Sequence, residues 1–417
     1  MRLYPVTLSQ NESVYSYLAR YHILSGEKNP LQTYKLLTGK RGYKPLSGLP
    51  TKLNRLKNLV FPDHTVEELI DGHTHFNYYA PFISKERRFL ILKAMKESGA
   101  TKSRLGLLRN HIGAAEPLRY CESCYRGEIT ENGFPYWHRE HLLPSVFVCP
   151  YHEEPLKEVD LSRINYHERA PLLPGNGYSV IQQVSEVAFK KLVIVSQQTL
   201  AMLNSKLDGR IDQGTYRKLL RFHNFVTGDG HIRQKELYAL VDTWLSDLTQ
   251  LTIFNHLRDS LKVERSWLST MVADKREFHH PIKHLIVLGA LGLTYNDAIY
   301  TAMEEAKQLE LVYEFKGVKK LTREDIVKSI SSEGSLTRAA KKLGCCLTTL
   351  IVEMEKNGIS YNRKTQYITE QLKRRLLTKA KGGMKTSDLA SYFKISVSSV
   401  NRILRSGKFI RTFQSME

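Results

Sequence analysis

Three of the five cysteines in this 417-residue chain fall in one stretch, and their spacing constrains the fold more than any other feature. The stretch runs Cys121-Glu122-Ser123-Cys124 to Cys149-Pro150-Tyr151-His152, a C-x-x-C pair and a C-x-x-H pair separated by 24 residues. A two-residue gap lets two side chains from one tight turn meet the same tetrahedral ion, and thiolates with an imidazole suit zinc. Four protein ligands leave no open position for a substrate. The expectation is therefore one structural Zn2+ held by Cys121, Cys124, Cys149 and His152. His138 and His141 lie between the pairs and compete with His152 for the fourth place. A redox C-x-x-C would need a thioredoxin-like βαβ context, which the neighbouring residues do not offer. Buried, unrelated cysteines are the remaining alternative.

The length allows two to four domains. With 41 % hydrophobic and 10 % aromatic residues, the composition is that of an ordinary globular protein. No apolar run reaches membrane-spanning length, and Met1-Arg2-Leu3-Tyr4-Pro5 opens no signal-peptide core. Metal-type cysteine spacing and an odd cysteine count predict a reducing, cytoplasmic setting. The formal net charge of +20 points to a polyanionic partner. From Lys319 onward there are 21 Lys and Arg against 8 Asp and Glu, so most of that excess sits in the last quarter.

Along residues 1–115 the pattern is of short helices joined by turns. Ser9-Gln10-Asn11-Glu12 and Thr65-Val66-Glu67-Glu68 both read as capping boxes. The helix after the first carries Val14, Tyr17, Leu18 and Tyr21 at helical spacing and stops near Gly26. Gly48-Leu49-Pro50 and Ala80-Pro81-Phe82 punctuate turns, and Lys85-Glu86-Arg87-Arg88 reads as a solvated helix face. Residues 161–185, with Pro171, Pro174, Gly175 and Gly177, predict a linker. From 186 to 318 helical stripes return, as in Trp244, Leu245, Leu248 and Leu251, or Leu285, Ile286, Leu288 and Leu291. His279, His280 and His284 are read as packing residues rather than ligands. Arg217, Lys218, Arg221, Arg233 and Lys235 form a second basic cluster, a candidate for phosphate contact.

The basic C-terminal quarter predicts two helix-turn-helix units, over 319–361 and 362–417. In the first, Leu336–Leu343 supports, Gly344 turns, and the helix opening at Leu347-Thr348-Thr349-Leu350 reads DNA up to Gly358. Ala340 is small enough for a close crossing and Leu350 plugs the core. In the second, Asp388–Phe393 leads through Lys394-Ile395-Ser396 into Val397–Leu404. Ala390 and Val400 stand ten residues apart, as do Ala340 and Leu350. Val397, Val400, Ile403 and Leu404 face inward, which leaves Ser398, Ser399, Asn401, Arg402 and Arg405 for base edges and phosphates. Lys373, Arg374, Lys385 and Lys408 flank that unit as phosphate contacts, and Arg338, Thr348 and Thr349 are the candidates in the first. Lys394 stands where the first unit has Gly344, and Glu353 and Glu355 would repel phosphates.

Several stretches together resemble the TniQ/TnsD family of transposon target selectors. They are Pro5, Glu12-Ser13, Tyr15-Ser16, Ala19-Arg20, Leu49-Pro50, Tyr79-Ala80-Pro81-Phe82 and Lys85–Arg88, then the zinc segment. There Cys121, Cys124, Gly133, Tyr136-Trp137-His138-Arg139, Leu143-Pro144 and Cys149-Pro150-x-His152 follow in family order. The longer TnsD branch is similar at Ser266-Trp267-Leu268 through Phe278, Pro281 and His284-Leu285. The fold expected is mainly α-helical and multidomain. It comprises a TniQ-like module at 1–115, a CCCH zinc-ribbon-like insert at 116–160, the linker, a TnsD-like helical domain at 186–318, and the tandem helix-turn-helix units.

The resemblance implies a bacterial protein that binds a chromosomal attachment site on double-stranded DNA. It further implies recruitment of an AAA+ transposition regulator (TnsC-like), and through it the transposase, from the N-terminal module. A zinc-containing helix-turn-helix transcriptional regulator and a TniQ adaptor of an RNA-guided complex are the alternatives. No catalytic triad, open metal site or transposase-like carboxylate set stands out, so no enzyme is expected.

Overall fold

The computed structural model describes residues 6–40, 43–99, 101, 112, 117–161, 171–261, 266–273, 278–304, 321–333, 335–345, 347–359, 370–382, 384, 386–393, 395, 400–401 and 403–404. It is mainly α-helical, and among the described residues no single helix is long and apolar enough to cross a membrane. The chain divides into two compact units, Met1–Glu353 and Met354–Glu417.

The first unit opens with α1 (Val14–Ser25), α2 (Pro30–Thr38), α3 (Leu53–Val60), α4 (Val66–His73), α5 (Phe76–Tyr79) and α6 (Lys85–Lys96). Helix α1 ends at Gly26 in the left-handed region, and Val14, Tyr17, Leu18 and Tyr21 are all buried, as their spacing predicts. Its start differs from expectation. Ser13, not Ser9, is the N-cap, its hydroxyl accepting from the Ser16 N–H at 3.1 Å. Glu12 does accept from the Ser9 N–H, but its carboxylate is drawn outside any helix by the buried Arg20. The Thr65 capping box is present as expected. Arg88 leaves the supposed solvated face to bind Asp208 and the Gly209 carbonyl, because the following chain packs over α6.

Next come β1 (Arg119–Tyr120), α7 (Glu122–Asn132), β2 (Lys157–Val159) and β3 (Ser179–Ile181). The three strands form an antiparallel sheet in the order β1-β2-β3, with Arg119 opposite Glu158 and Glu158 opposite Val180. The expected linker therefore supplies the third strand. Its Leu172 carbonyl also accepts the indole N–H of the fully buried Trp137 at 2.7 Å.

Helices α8 (Glu186–Asn204), α9 (Gln213–Phe222), α10 (Gln234–Ser246), α11 (Thr252–Asp259), α12 (Trp267–Ala273), α13 (Pro281–Ala290) and α14 (Tyr295–Glu304) follow. The 19-residue α8 is the junction of the unit. It packs on α4, α5, the 3-10 turn Glu140–Leu142 and α13. The main apolar core consequently runs from Val6 to Ala302, with Cys121 and Cys149 inside it, and a smaller cluster gathers Tyr15, Leu118, Tyr120, Trp137, Leu142 and Val159. The expected stripes Leu245, Leu248, Leu251 and Leu285, Ile286, Leu288 are buried in this core. His280 caps α13, and His284 stacks on Phe82 at 3.9 Å while its Nδ1 meets the Tyr216 hydroxyl at 2.8 Å. Burial holds both imidazoles well below their ordinary range, so they stay neutral and pack.

Helices α15 (Arg323–Glu333), α16 (Leu336–Lys342) and α17 (Leu347–Lys356) come last in this unit, whose boundary falls inside α17. Ala340 and Leu350 are buried, and Gly344 takes φ +68, a left-handed turn that costs glycine nothing. The second unit holds α18 (Glu370–Lys381) and α19 (Thr386–Tyr392), closed by a core of Leu376, Leu389, Ala390, Val400 and Ile403. Two hydrogen bonds recur in the two turns. Leu343 N–H donates to Ala339 and Cys345 N–H to Ala340, both at 3.0 Å; Phe393 donates to Leu389 and Ile395 to Ala390, again at 3.0 Å. Lys394, the counterpart of Gly344, and Val397 lie outside the described residues.

One glycine is sterically obligatory. A Cβ built on Gly48 lies 1.8 Å from the His75 ring; the His75 backbone N–H donates to the Gly48 carbonyl and its ring Nε2 meets the Arg139 carbonyl, both at 2.7 Å. Gly48→Ala should cost about 3 kcal/mol. In urea unfolding, adding His75→Ala should recover part of that loss. An unchanged transition for Gly48→Ala would mean that the ring is free to move.

Candidate metal centre

The two ligand pairs sit on differently built turns. Strand β1 delivers Cys121 to the N-cap of α7, and Cys124 follows on the first helical turn, one step along the same face. The second pair occupies a hairpin. Cys149 N–H donates to the Glu154 carbonyl at 2.8 Å, Glu153 turns at φ +51 and returns its N–H to Cys149 at 2.9 Å. These turns bring one atom each of Cys121, Cys124, Cys149 and His152 within 4.8 Å of one another.

The spacing fits a tetrahedral ion. Zinc bonds of about 2.3 Å to sulfur and 2.0–2.1 Å to nitrogen imply edges of roughly 3.8 Å between sulfurs and roughly 3.5 Å from sulfur to nitrogen. Cys124 and Cys149 sulfurs are 3.9 Å apart, and His152 Nδ1 lies 3.4, 3.4 and 3.6 Å from Cys121, Cys124 and Cys149. Donor chemistry agrees. Hydrogen bonds from Cys121 and Cys124 pull the Cys149 thiol well below its ordinary range, while Cys124 is pushed far up by its bonds to Cys121 and Cys149. Three thiols and an imidazole converging on one point are a set that a divalent cation would deprotonate outright. The Glu154 carboxylate, bonded by Ser123 Oγ at 2.7 Å, borders the cluster at 3.4 Å from Cys121.

The competing histidines are otherwise engaged. His138 Nε2 meets Glu128 at 2.5 Å and Nδ1 meets Glu140 at 3.1 Å. Burial opposes the charge, but the two carboxylates outweigh it and raise His138 to about 10. Its atoms also come close to Cys124 and Glu128, yet both ring nitrogens are taken. His141 is fully buried beside it, lowered to about 4 by burial and by the His138 charge, and stands outside the four-ligand set.

The segment between the pairs is bound to the start of the chain. Ser13 N–H donates to the Trp137 carbonyl and Arg139 N–H to Asn11, both at 2.9 Å, and Glu12 bridges to His138 as a short antiparallel pair. Arg139 then reaches the Asp71 carbonyl and Asn204 Oδ1, the latter at 3.0 Å. None of Asp71, Asn204, Glu128 or His75 was singled out in the sequence. Their partners lie too far along the chain to leave a local pattern.

The residues expected at a DNA interface are only partly placed. Arg338 is exposed on α16 and Thr349 is half-buried at the start of α17, beside Thr348. Lys373 and Arg374 belong to α18, and Asn401 is exposed next to the buried Val400. Lys385, Ser398, Ser399, Arg402, Arg405 and Lys408 lie outside the described residues.

Metal analysis of the purified protein should return about one zinc per chain. Cys121→Ser should release it and abolish the cooperative melting of the first unit, since the same sulfur lies in the apolar core. Metal-free protein with an unaltered melt would remove these four residues as a folding staple.

Comparison with known proteins gives three matches. The TniQ family model matches residues 3–156, and the model described as Tn7-like transposition protein D matches residues 201–416. The transposon Tn7 transposition protein TnsD of Escherichia coli is 33 % identical over 156 residues, which is 36 % of this chain. That match spans only 30 % of the relative's own length. One family model thus takes in just over half the chain and a related one most of its beginning, and on that coverage the chain belongs to the Tn7-like transposition protein D family.

Proposed function

We propose that this chain is the target selector of a bacterial Tn-type transposon. It binds a chromosomal attachment site on double-stranded DNA and recruits an AAA+ regulator of the TnsC type, and through that regulator the transposase. The observation that supports the DNA half is a pair of turns, at 343–345 and 393–395, that share two backbone hydrogen bonds at a 50-residue offset inside the most basic quarter of the chain. In helix-turn-helix units the second helix enters the major groove while the first crosses the backbone. Here α17 and the helix around Val400 take the reading position, and α16 and α19 support them.

Within this reading Asn401, Arg402, Ser398, Ser399 and Arg405 face the bases or adjoining phosphates of the second unit. Lys373, Arg374, Lys385 and Lys408 hold its flanking phosphates, and Arg338, Thr348 and Thr349 serve the first unit. The Cys121, Cys124, Cys149 and His152 site holds one structural zinc, which fixes the N-terminal module that carries the recruiting surface. The divisions at 115, 160, 185, 318 and 361 are then functional rather than folding boundaries. Family membership supports the recruitment half, and the protein acts as an adaptor, with no chemistry of its own.

Asn401→Ala or Arg402→Ala should cost about 1–3 kcal/mol at the specific site and narrow the preference for target over scrambled duplex. Lys373→Ala or Arg374→Ala should weaken both duplexes alike and lower the salt slope by about one each. Titration by anisotropy at several salt concentrations separates the two. A target-to-scrambled ratio untouched by Asn401→Ala and Arg402→Ala would pass the reading role to Thr348 and Thr349. Separately, a chain lacking residues 319–417 should still capture the AAA+ regulator without DNA. Capture by residues 319–417 alone would overturn the N-terminal assignment.

A further inference from the structure

Far from the basic tail in sequence, α9 presents an unusual outer face. Its inner face is ordinary: Thr215, Tyr216, Leu219 and Leu220 are buried, and the helix packs on α12. Outward it shows Arg217 and Arg221, one turn apart and both exposed, with neither in an ion pair among the described residues. Lys218 and Phe222 form the adjacent row, four residues apart. Phe222 is 85 % exposed, more than any other large apolar side chain among the described residues; the next is Tyr178 at 62 %. Its ring is steadied edge-on by His223 at 5.6 Å.

The chain does not run on loosely from there. Asn224 turns at φ +62, and residues 225–233 fold into a small hairpin. Val226 bridges to Ile232, and Arg233 N–H donates to Phe225 at 2.8 Å. Arg233, 46 % exposed on its side chain, is thereby brought back beside the end of α9, lightly paired to Glu236 at 3.5 Å. The acidic groups nearby are Asp212, occupied in capping α9, Glu236, and Asp229 at the hairpin tip.

A solitary exposed phenyl ring set among guanidinium groups is a poor protein-docking surface, because it lacks the apolar patch such an interface buries at its centre. It suits a ligand that alternates anionic groups with flat apolar faces, which is the surface of a nucleic-acid groove. We infer that α9 and the hairpin after it form a second duplex-DNA contact, independent of base sequence. Arg217 and Arg221 take successive phosphates there, and Phe222 lies against the sugars between them. This rests on the reading of the protein as a DNA-binding target selector. It adds a contact in the first unit to those expected at residues 338–408.

The test uses the full-length protein on target and scrambled duplexes. The double variant Arg217→Ala/Arg221→Ala should lower the salt slope by about two and weaken both duplexes about 30-fold at 0.15 M salt. Arg217→Lys/Arg221→Lys should keep the slope. Phe222→Ala should weaken both duplexes with the slope unchanged. A photo-cross-linking phenylalanine analogue at position 222 should label DNA. The three substituted side chains are exposed, so circular dichroism and melting should match the parent. Slopes and affinities equal to the parent's, or a cross-linker that labels only protein or nothing, would overturn the inference. If the parent showed no preference for target over scrambled duplex, the target-selector reading would fail instead, while the α9 effect would still be read on scrambled DNA.

Discussion

A fully buried ion pair at the start of α1 holds the first unit to its metal segment. Arg20 and Glu12 are 1 % and 0 % exposed, joined at 2.7 and 2.5 Å, with a third guanidinium bond to the Thr7 carbonyl at 2.7 Å and the face of Phe134 4.1 Å away. Charges taken this far from water are tolerated only when every lone pair and proton is matched. Matching them here fixes the backbone of residues 7–13. That backbone is what Trp137, His138 and Arg139 pair against. The Cys/His cluster and the six leading helices are therefore one folding problem, although more than a hundred residues separate their ends.

Helix α8 extends the same dependence to the rest of the unit. Neither family model includes residues 157–200, yet these residues provide β2, β3 and most of the helix on which α4, α5 and α13 all rest. What sequence similarity divides into two pieces with a gap, packing unites through the gap. Arg139 shows this at atomic scale, since its guanidinium joins the last turn of α4 to Asn204 at the end of α8.

What could be seen in the sequence was local. The C-x-x-C and C-x-x-H turns, the Thr65 cap, the αL glycines at 26 and 344, and the ten-residue interval from Ala340 to Leu350 each lie within a few turns of chain. Each of them leaves a short pattern. The Ser9 reading failed for the same reason in reverse, as a correct local pattern was overruled by Arg20 eight residues beyond Glu12. Strand β3 was hidden in a stretch rich in Pro and Gly because three residues leave no detectable alternation. The double engagement of His138 depended on Glu128, ten residues away on another element, and nothing in the spacing announced it. The exposure of Phe222 is a tertiary fact too; three residues beyond the buried Leu219, periodicity alone would place it on the inner stripe.

The position of α8 bears on how the chain is made. Helices α1 to α6 are complete by Lys96, but the helix on which α4 and α5 rest ends at Asn204. At ribosomal speeds of about 5–20 residues per second, roughly 5–20 s of synthesis separate the two. During that interval the apolar faces of α4 and α5 have no cover, and the thiols of the first ligand pair emerge before their partners. A nascent chain of this kind would be exposed to aggregation and to thiol oxidation for seconds, and a slower codon run between residues 97 and 204 would lengthen that exposure rather than relieve it.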